Sequence, residues 1–461
     1  MQSGGAGPRH LTLRQPRRPP GNHNRIMRPA PDNRRQRLAT YVRANPNILQ
    51  TISAFAIKLL GAALSFGFSF LVARQLGASG TGSFAIAITT ATVGSTIALL
   101  GLDYILLRTL AGDLRVGNIA GGRGAVRTVL AAVIVTGITI AAALAVFGGL
   151  LLAALIGPEL DPGIARLAAL LLVPLALNRT VSAALRGAGS VITAQWVDGP
   201  FAMALAVSGL LALILAGNVG GVDRVLALYI ATTLTSTVVA WGLYARRTRT
   251  WAAAAKVPLR PMLGQSWRIA LVVLSALLAD WVVLLVLGSN FSTREVGQFR
   301  TAWQITSLIA LIVVTFESVS GPRIAAAHRV GEHASIRKIW RQSAVIMTVM
   351  SAPLFVVTLG FPGWLLGQFG PDFTVAATAL QILGVGQLIN IVTGPIGAIM
   401  IMTGQERWSL RISMGALVLL AVLSLTLIPA YGLVGAALTT SLTMVARKLF
   451  SALVVVRTLP K

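Results

Sequence analysis

The sequence predicts an all-α integral membrane protein in which twelve transmembrane helices form two lobes of six helices each. The first observation is composition: 55% of the 461 residues are hydrophobic, only 11% are charged, and the mean hydropathy is +0.78. A soluble globular protein carries roughly 25% charged residues. The second observation is a series of long apolar segments, and the third is the distribution of basic residues between them. This composition excludes an ordinary soluble enzyme.

Twelve segments reach the length of about 20 apolar residues that a transmembrane helix needs. They fall at residues 49–73, 82–107, 126–152, 165–187, 191–216, 224–245, 267–288, 296–318, 339–361, 375–402, 408–429 and 432–456, and we number them spans 1 to 12. These spans predict an N-terminal lobe at 47–248, a cytoplasmic linker at 249–265 and a C-terminal lobe at 266–461.

The segment before span 1, residues 1–46, contains ten arginines, seven prolines and a single acidic residue, Asp32. Such a segment cannot bury enough apolar area to fold, so we predict a disordered cytoplasmic tail. Because aromatic residues do not interleave with its arginines, it is not typical of nucleic-acid-binding segments. The better interpretation is that the tail holds the N-terminus in the cytoplasm, where anionic lipid could bind it, and no nucleic acid partner is predicted.

The basic residues give the chain a formal net charge of +26. Of the 39 lysines and arginines, 32 fall in the tail, in connections after even-numbered spans, or at the C-terminal end. The opposite connections contain only Arg74, Arg166, Arg224 and Arg294. The positive-inside rule therefore predicts that both termini are cytoplasmic and that the number of spans is even.

Glycine-containing motifs recur in the two halves at similar separations. Gly77 and Gly288 are 211 residues apart, Gly82 and Gly297 are 215 apart, and Gly187 and Gly404 are 217 apart. Prolines also interrupt the spans before the last pair, with Pro174 in span 4 and Pro395 in span 10. Glycines cluster at helix ends in any case, but the shared offsets favour a repeat. Repeated, interrupted halves indicate a secondary transporter whose site lies between them.

The residue inventory excludes several kinds of chemistry. The chain has no cysteine, which excludes disulfides, thiolate metal sites and cysteine nucleophiles. His328 and His333 are five residues apart, a poor spacing for one helix face, so no metal site is predicted. No Walker-type nucleotide motif occurs. We therefore expect no cofactor and no catalysis, and we expect transport to run on a substrate gradient or on an H⁺ or Na⁺ gradient.

Apart from the basic residues assigned to connections and chain ends, three cations lie within predicted spans: Lys58 in span 1, Arg179 in span 4 and Arg300 in span 8. An ionisable residue inside a membrane faces a partner or a water-filled cavity. If all three face the central cavity, they form a cationic chamber for a pyrophosphate or an acidic sugar. Two alternatives stay open: Arg179 pairs with Asp198 or a backbone carbonyl, or Lys58 extends to the cytoplasmic surface.

The acidic residues within spans have more than one interpretation. Asp280 sits near the middle of span 7, as a proton or cation site or as the ion-pair partner of Arg300. Asp198 in span 5 is a second candidate for ion coupling or an ion pair. Asp103 and Arg108, at the inner end of span 2, are interpreted as a topology anchor.

Span 10 is unusually polar, with Gln381, Gln387 and Asn390. These side chains either form hydrogen bonds between helices or bind sugar hydroxyls in the cavity.

Several of these motifs together resemble a known family. They are the run from Leu71 to Phe84, the segment Leu100–Asp103 with Arg108, the segment Val296–Ala302, and the segment Ala430–Ala437. In this order, within twelve spans, they resemble the Wzx-type polysaccharide flippases of the multidrug/oligosaccharidyl-lipid/polysaccharide (MOP) exporter superfamily.

The resemblance implies two six-helix lobes in a V around a central cavity in a bacterial plasma membrane. It also implies alternating access that carries polyprenyl-pyrophosphate-linked oligosaccharide from the inner to the outer leaflet. A polysaccharide polymerase or glycosyltransferases would be partners. The resemblance suggests Lys58, Arg179 and Arg300 as contacts of the anionic headgroup.

Two other functions compete with this one. A multidrug antiporter of the same fold is the first, although three basic residues deep in the spans disfavour a cavity for cationic drugs. The second is a membrane glycosyltransferase, for which Glu159 and Asp161 would be the acidic pair. Their loop of about a dozen residues is too small to build a substrate cleft.

Overall fold

A computed structural model describes residues 46–156 and 161–458, which are almost entirely helical and contain no β-strand. The α-helices, numbered α1 to α14, are Pro46–Leu99, Leu102–Arg115, Ile119–Ile156, Pro162–Gly187, Val191–Val197, Pro200–Leu215, Val222–Arg247, Leu259–Asn290, Thr293–Arg329, His333–Gly360, Pro362–Gly367, Ala377–Val392, Ile396–Met402 and Glu406–Thr458. A 3₁₀-helix, Pro371–Ala376, precedes α12. Apart from Pro46, the predicted tail lies outside the described residues.

The structure confirms twelve membrane crossings. Ten helices among the described residues are long and apolar enough to span a bilayer. Two of them, α1 and α14, contain two crossings each, because the backbone is non-helical at Gly77 (φ 66°) and at Gly432 (φ 54°). Glycine tolerates this left-handed conformation because it has no Cβ. Both sharp turns lie at glycines of the motifs that the sequence singled out.

Two predicted features of the spans are wrong. Span 2 ends at Leu99, because Leu100 (φ 48°) and Gly101 (φ 72°) take positive φ values that end the helix. Asp103 therefore belongs to the separate short helix α2. Pro174 does not interrupt span 4, which is one helix from Pro162 to Gly187. At Pro395 the helix does break, because Gly394 before it is left-handed (φ 77°).

The two ends of the bundle differ in charge. We call the end with the connections after spans 2, 4, 6, 8 and 10 the basic end, and the opposite end the far end. At the far end, one hydrophobic core contains residues of both halves, including Val72 and Phe84 with Leu287 and Phe299. At the basic end, the N-terminal core also packs against the beginning of the C-terminal half through Met262, Leu263 and Ile269. Residues of helices α9, α10, α13 and α14 form a separate core.

The chain from Gln50 to Lys461 forms one compact unit. The halves also touch at the basic end, where a Cβ added to Gly101 would lie 2.7 Å from the carbonyl oxygen of Ser266. The predicted lobe boundaries at residues 248 and 266 stay predictions.

Candidate functional site

The two halves touch at the far end through residues that are equivalent in the predicted repeat. A Cβ added to Gly82 would lie 1.8 Å from the carbonyl oxygen of Thr293, and one added to Gly297 would lie 1.9 Å from that of Ala78. Residues 78 and 293, like 82 and 297, are 215 positions apart, so the contact has the reciprocity of a two-fold axis. The Ser79 and Thr293 hydroxyls add a hydrogen bond of 2.9 Å. We call this the glycine contact.

Arg300 lies between the halves. It lines a cavity of about 100 Å³ whose other walls come mostly from the N-terminal half, including Ser65, Ser69 and Tyr229. Gln304, one turn further along span 8, lines the same cavity and donates a hydrogen bond to the Ser65 carbonyl oxygen at 3.4 Å. A guanidinium of the C-terminal half thus faces the N-terminal half, where a ligand between the halves could meet it.

Asp280 is exposed halfway along span 7. Its carboxylate interacts electrostatically with Arg300 and with Arg447 of span 12. Among the described residues, it forms no ion pair within 4.0 Å. Asp280 therefore interacts with two cations but, among the described residues, forms a close ion pair with neither.

A second cavity, of about 300 Å³, lies inside the C-terminal half and contains Glu317, Asn390, Arg447 and Lys448. Lys448 is only 9% exposed and interacts electrostatically with Glu317 and Arg447. Arg447 and Lys448 are among the basic residues at the C-terminal end that the positive-inside rule places in the cytoplasm, so their position in the sequence did not predict this cavity. One signal was available, because the predicted span 12 already contained both residues.

The polar residues of span 10 divide between two roles. Gln381 donates a hydrogen bond to the Leu359 carbonyl oxygen of span 9 at 2.9 Å, as expected for contacts between helices. Asn390 donates to Gln387 at 2.9 Å within its own helix. The Asn390 amide oxygen is buried without a partner and lines the second cavity.

Charged residues of the N-terminal half form ion pairs, but the partner of Arg179 is not the one that the sequence suggested. Arg179 donates to the Thr96 hydroxyl at 2.9 Å, and its guanidinium lies 3.7 Å from the Asp103 carboxylate. Burial raises the pKa of the Asp103 carboxyl, and the Arg179 charge opposes that shift. Asp198 pairs with Arg186 at 3.1 Å. The alternative pair of Arg179 with Asp198 is therefore wrong, and Asp103 is a partner of Arg179.

The structure places the three predicted cations in different surroundings, and the predicted chamber stays a prediction. Arg179 is held inside the N-terminal half by spans 2 and 4, whereas Arg300 lies between the halves. Lys58 is exposed at the third residue of the first membrane segment, Ala56–Leu99. Arg300 and Asp280 therefore form the centre of the candidate site, and the binding roles of Lys58 and Arg179 stay predictions.

Two other pairs of residues were considered above, Glu159 and Asp161 as an acidic pair and His328 and His333 as metal ligands. Glu159 lies outside the described residues, and Asp161 caps helix α4 by accepting a hydrogen bond from the Gly163 amide at 2.8 Å. The rings of His328 and His333 lie 6.4 Å apart.

Sequence comparison connects the chain with membrane transporters. The family model MatE matches residues 269–426. The chain is 27% identical over 164 residues to the probable low-salt glycan biosynthesis flippase Agl15 of Haloferax volcanii. That match covers 35% of this chain and 35% of the relative, so the chain spans about a third of the relative's length.

Structural comparison extends the likeness to nearly the whole chain. A multidrug resistance MATE family transporter of the MOP superfamily, in an inward-facing conformation, superposes with a TM-score of 0.70 at 14% identity, over 88% of this chain and 98% of that chain. The lipid II flippase MurJ, in an inward closed conformation, gives a TM-score of 0.67 at 12% identity, over 90% and 88%. The predicted MOP fold and resemblance to that superfamily are confirmed, and the Wzx type stays a prediction.

Proposed function

We propose that this multi-pass membrane protein flips a lipid-linked oligosaccharide from the inner to the outer leaflet by alternating access. The observation that carries the proposal is Arg300, a cation between the halves of a MOP fold. The partial similarity to a glycan biosynthesis flippase supports the substrate class. By the positive-inside rule the basic end is cytoplasmic, with both termini on that side. The resemblance to Wzx-type flippases implies that the membrane is a bacterial plasma membrane.

The pyrophosphate of a polyprenyl carrier is the part of the substrate that Arg300 would bind. A guanidinium donates two parallel hydrogen bonds to phosphate oxygens, and in a site of low water content these bonds are strong. Lys58, exposed near the basic end, would be met first by a headgroup entering from the cytoplasm. Arg179 would act indirectly, by fixing span 4 to span 2.

The glycine contact supports a direction for the cycle. Backbones this close leave no passage between spans 2 and 8 at the far end, while Asp280 remains exposed. The described conformation is therefore closed between spans 2 and 8 at the far end, and release outside would require the glycine contact to separate. Binding of H⁺ or Na⁺ at Asp280 would weaken its attraction to Arg300 and so couple an ion gradient to the cycle.

The test of the substrate class is deletion of the gene, followed by measurement of surface polysaccharide and of inward-facing lipid-linked intermediates. We expect polysaccharide to fall and intermediates to accumulate, and the wild-type gene, but not an Arg300→Gln variant, to restore both. Restoration by an Arg186→Gln variant controls for the removal of an arginine from this fold. Normal polysaccharide without accumulated intermediates would contradict the proposal.

A multidrug antiporter is the second candidate, favoured by the likeness to a multidrug transporter and by the exposed, unpaired Asp280. An exposed carboxylate could bind a cationic drug and exchange it for a proton. The same deletion strain separates the candidates, because an antiporter predicts greater drug susceptibility with unchanged polysaccharide. For the flippase, glycosyltransferases and a polymerase are the partners we expect, and their genes should be neighbours.

A further inference from the structure

A groove on the outer surface of the N-terminal half, near the basic end, is not part of the candidate site. Spans 3, 4 and 6 line it, and its volume is about 950 Å³. Arg123, Arg127 and Ile134 of helix α3 recur at helical spacing along one wall, and Val238 and Tyr244 of span 6 lie along the other. The groove therefore runs along the surface between two helices of opposite direction.

The length of the groove matches one leaflet of a bilayer. From Arg123 to Ile134 the helix advances eleven residues, or about 16 Å at 1.5 Å per residue. The hydrocarbon core of a bilayer is about 30 Å thick, so one leaflet contributes about 15 Å. The inner part of the groove, at Ile134 and Val238, is apolar and exposed. An acyl chain that enters at the basic end would therefore reach the middle of the bilayer.

The end of the groove at the membrane surface is positively charged. Its lining contains two arginines and, among the described residues, no aspartate or glutamate. Arg127 is exposed and has no ion pair or hydrogen bond within the described chain. Tyr244 is 4% exposed, and its hydroxyl is buried without a hydrogen-bond partner. The exposed Trp241 marks this level as the interface, where tryptophan is enriched.

Arg123, at the same end of the groove as Arg127, binds the backbone of the connection between the halves. Its guanidinium donates hydrogen bonds to the carbonyl oxygens of Trp251 (2.9 Å) and Ala252 (3.1 Å), in the connection between the halves. That connection also lines the groove, through Ala253 and Ala254. A headgroup at Arg127 would therefore lie against the segment that joins the N-terminal half to the C-terminal half.

We propose that this groove is a binding site for an anionic phospholipid of the leaflet at the basic end. The lipid phosphate binds Arg127, and one acyl chain fills the groove as far as Ile134 and Val238. Basic pockets between transmembrane helices on the cytoplasmic side are suited to anionic headgroups, and a guanidinium pairs with a phosphate through two hydrogen bonds. The site is separate from Arg300 and Asp280 and does not depend on the transported substrate.

The test measures which lipid the purified full-length protein retains. The protein is taken from vesicles of equal parts phosphatidylglycerol and phosphatidylcholine, and bound lipid is counted by native mass spectrometry. We expect phosphatidylglycerol to be preferred, and Arg127→Gln to reduce that preference by roughly fivefold, since one basic residue near a membrane surface contributes about 1 kcal/mol. Arg115→Gln, an exposed arginine outside the groove, is the matched control and should retain the wild-type preference.

A second variant tests the acyl chain independently of charge. Val238→Trp fills the apolar part of the groove and should lower the retention of both lipids while Arg127 is unchanged. Elution as a single species in size-exclusion chromatography shows that each variant is folded. Equal preference in wild type and Arg127→Gln would overturn the proposal. An equal loss in Arg115→Gln would also overturn it, because surface charge in general would then account for the preference.

Discussion

The two halves of the molecule meet through equivalent residues but differ in how their intramembrane charges are paired. At the glycine contact they are reciprocal, with Gly82 against Thr293 and Gly297 against Ala78. In the N-terminal half, Arg179 and Asp198 have partners within 4.0 Å. In the C-terminal half, Asp280 and Arg300 interact only at longer range. The first half thus uses charge to hold helices together, whereas the second leaves Asp280 and Arg300 without a close partner, as the proposed function requires.

We expect the largest effect on transport from a variant that locks the glycine contact, to which both halves contribute equivalent residues. The Ser79 and Thr293 hydroxyls are 2.9 Å apart, so a Ser79→Cys/Thr293→Cys variant should form a disulfide across the glycine contact. The chain has no other cysteine to compete. We expect transport to be lost on oxidation and restored by a reducing agent, because the far end can then no longer open. Full transport by the cross-linked protein would show that this contact does not separate.

The next effect should come from the unpaired charges of the C-terminal half. Asp280→Asn and Arg300→Gln should each reduce transport by at least about tenfold, equivalent to about 1.4 kcal/mol in the barrier. The thermal melting temperature in detergent should change little, because neither residue has a close partner to lose. A large drop in melting temperature for both variants would mean that the C-terminal charges are structural as well.

A smaller effect, on stability, should come from Arg179. Arg179→Gln leaves the buried Asp103 carboxylate without its cation and should lower the free energy of unfolding by about 1–3 kcal/mol. Burial already raises the pKa of Asp103, and loss of Arg179 removes the opposing charge. The destabilisation should therefore be greatest at neutral pH and shrink as the pH falls and Asp103 binds a proton.

A matched variant checks this explanation. Adding Asp103→Asn to Arg179→Gln removes the buried charge and should recover most of the lost stability at neutral pH. If the double variant is no more stable than Arg179→Gln, the carboxylate is not the cause.

The smallest effect should come from Arg186 and Asp198, whose side chains are 29% and 31% exposed. Partly exposed ion pairs contribute roughly 0.2–1 kcal/mol, so Asp198→Asn should change the melting temperature only slightly. Transport should be unchanged. That result would exclude Asp198 from ion coupling and leave Asp280 as the candidate. A loss of transport comparable to that of Asp280→Asn would remove the contrast between the halves.

The sequence alone determined the number of crossings and the glycine motifs at their ends. Hydropathy is a local property, so runs of apolar residues reveal spans without knowledge of their neighbours. The 215-residue separation of Gly82 and Gly297 likewise predicted two equivalent halves. Even the sharp turns at Gly77 and Gly432 fall in motifs that the sequence had singled out.

Only the tertiary structure decided which residues meet. Arg179 was predicted to face a cavity or Asp198, but the orientation of span 4 places it beside Thr96 and Asp103. Repeat-equivalent glycines could have been far apart, and their direct contact depends on a two-fold axis that passes between them. Lys448 is buried beside a cavity because spans 8, 10 and 12 converge there. Partner choice depends on helix rotation and packing, and a one-dimensional pattern of charge does not contain this information.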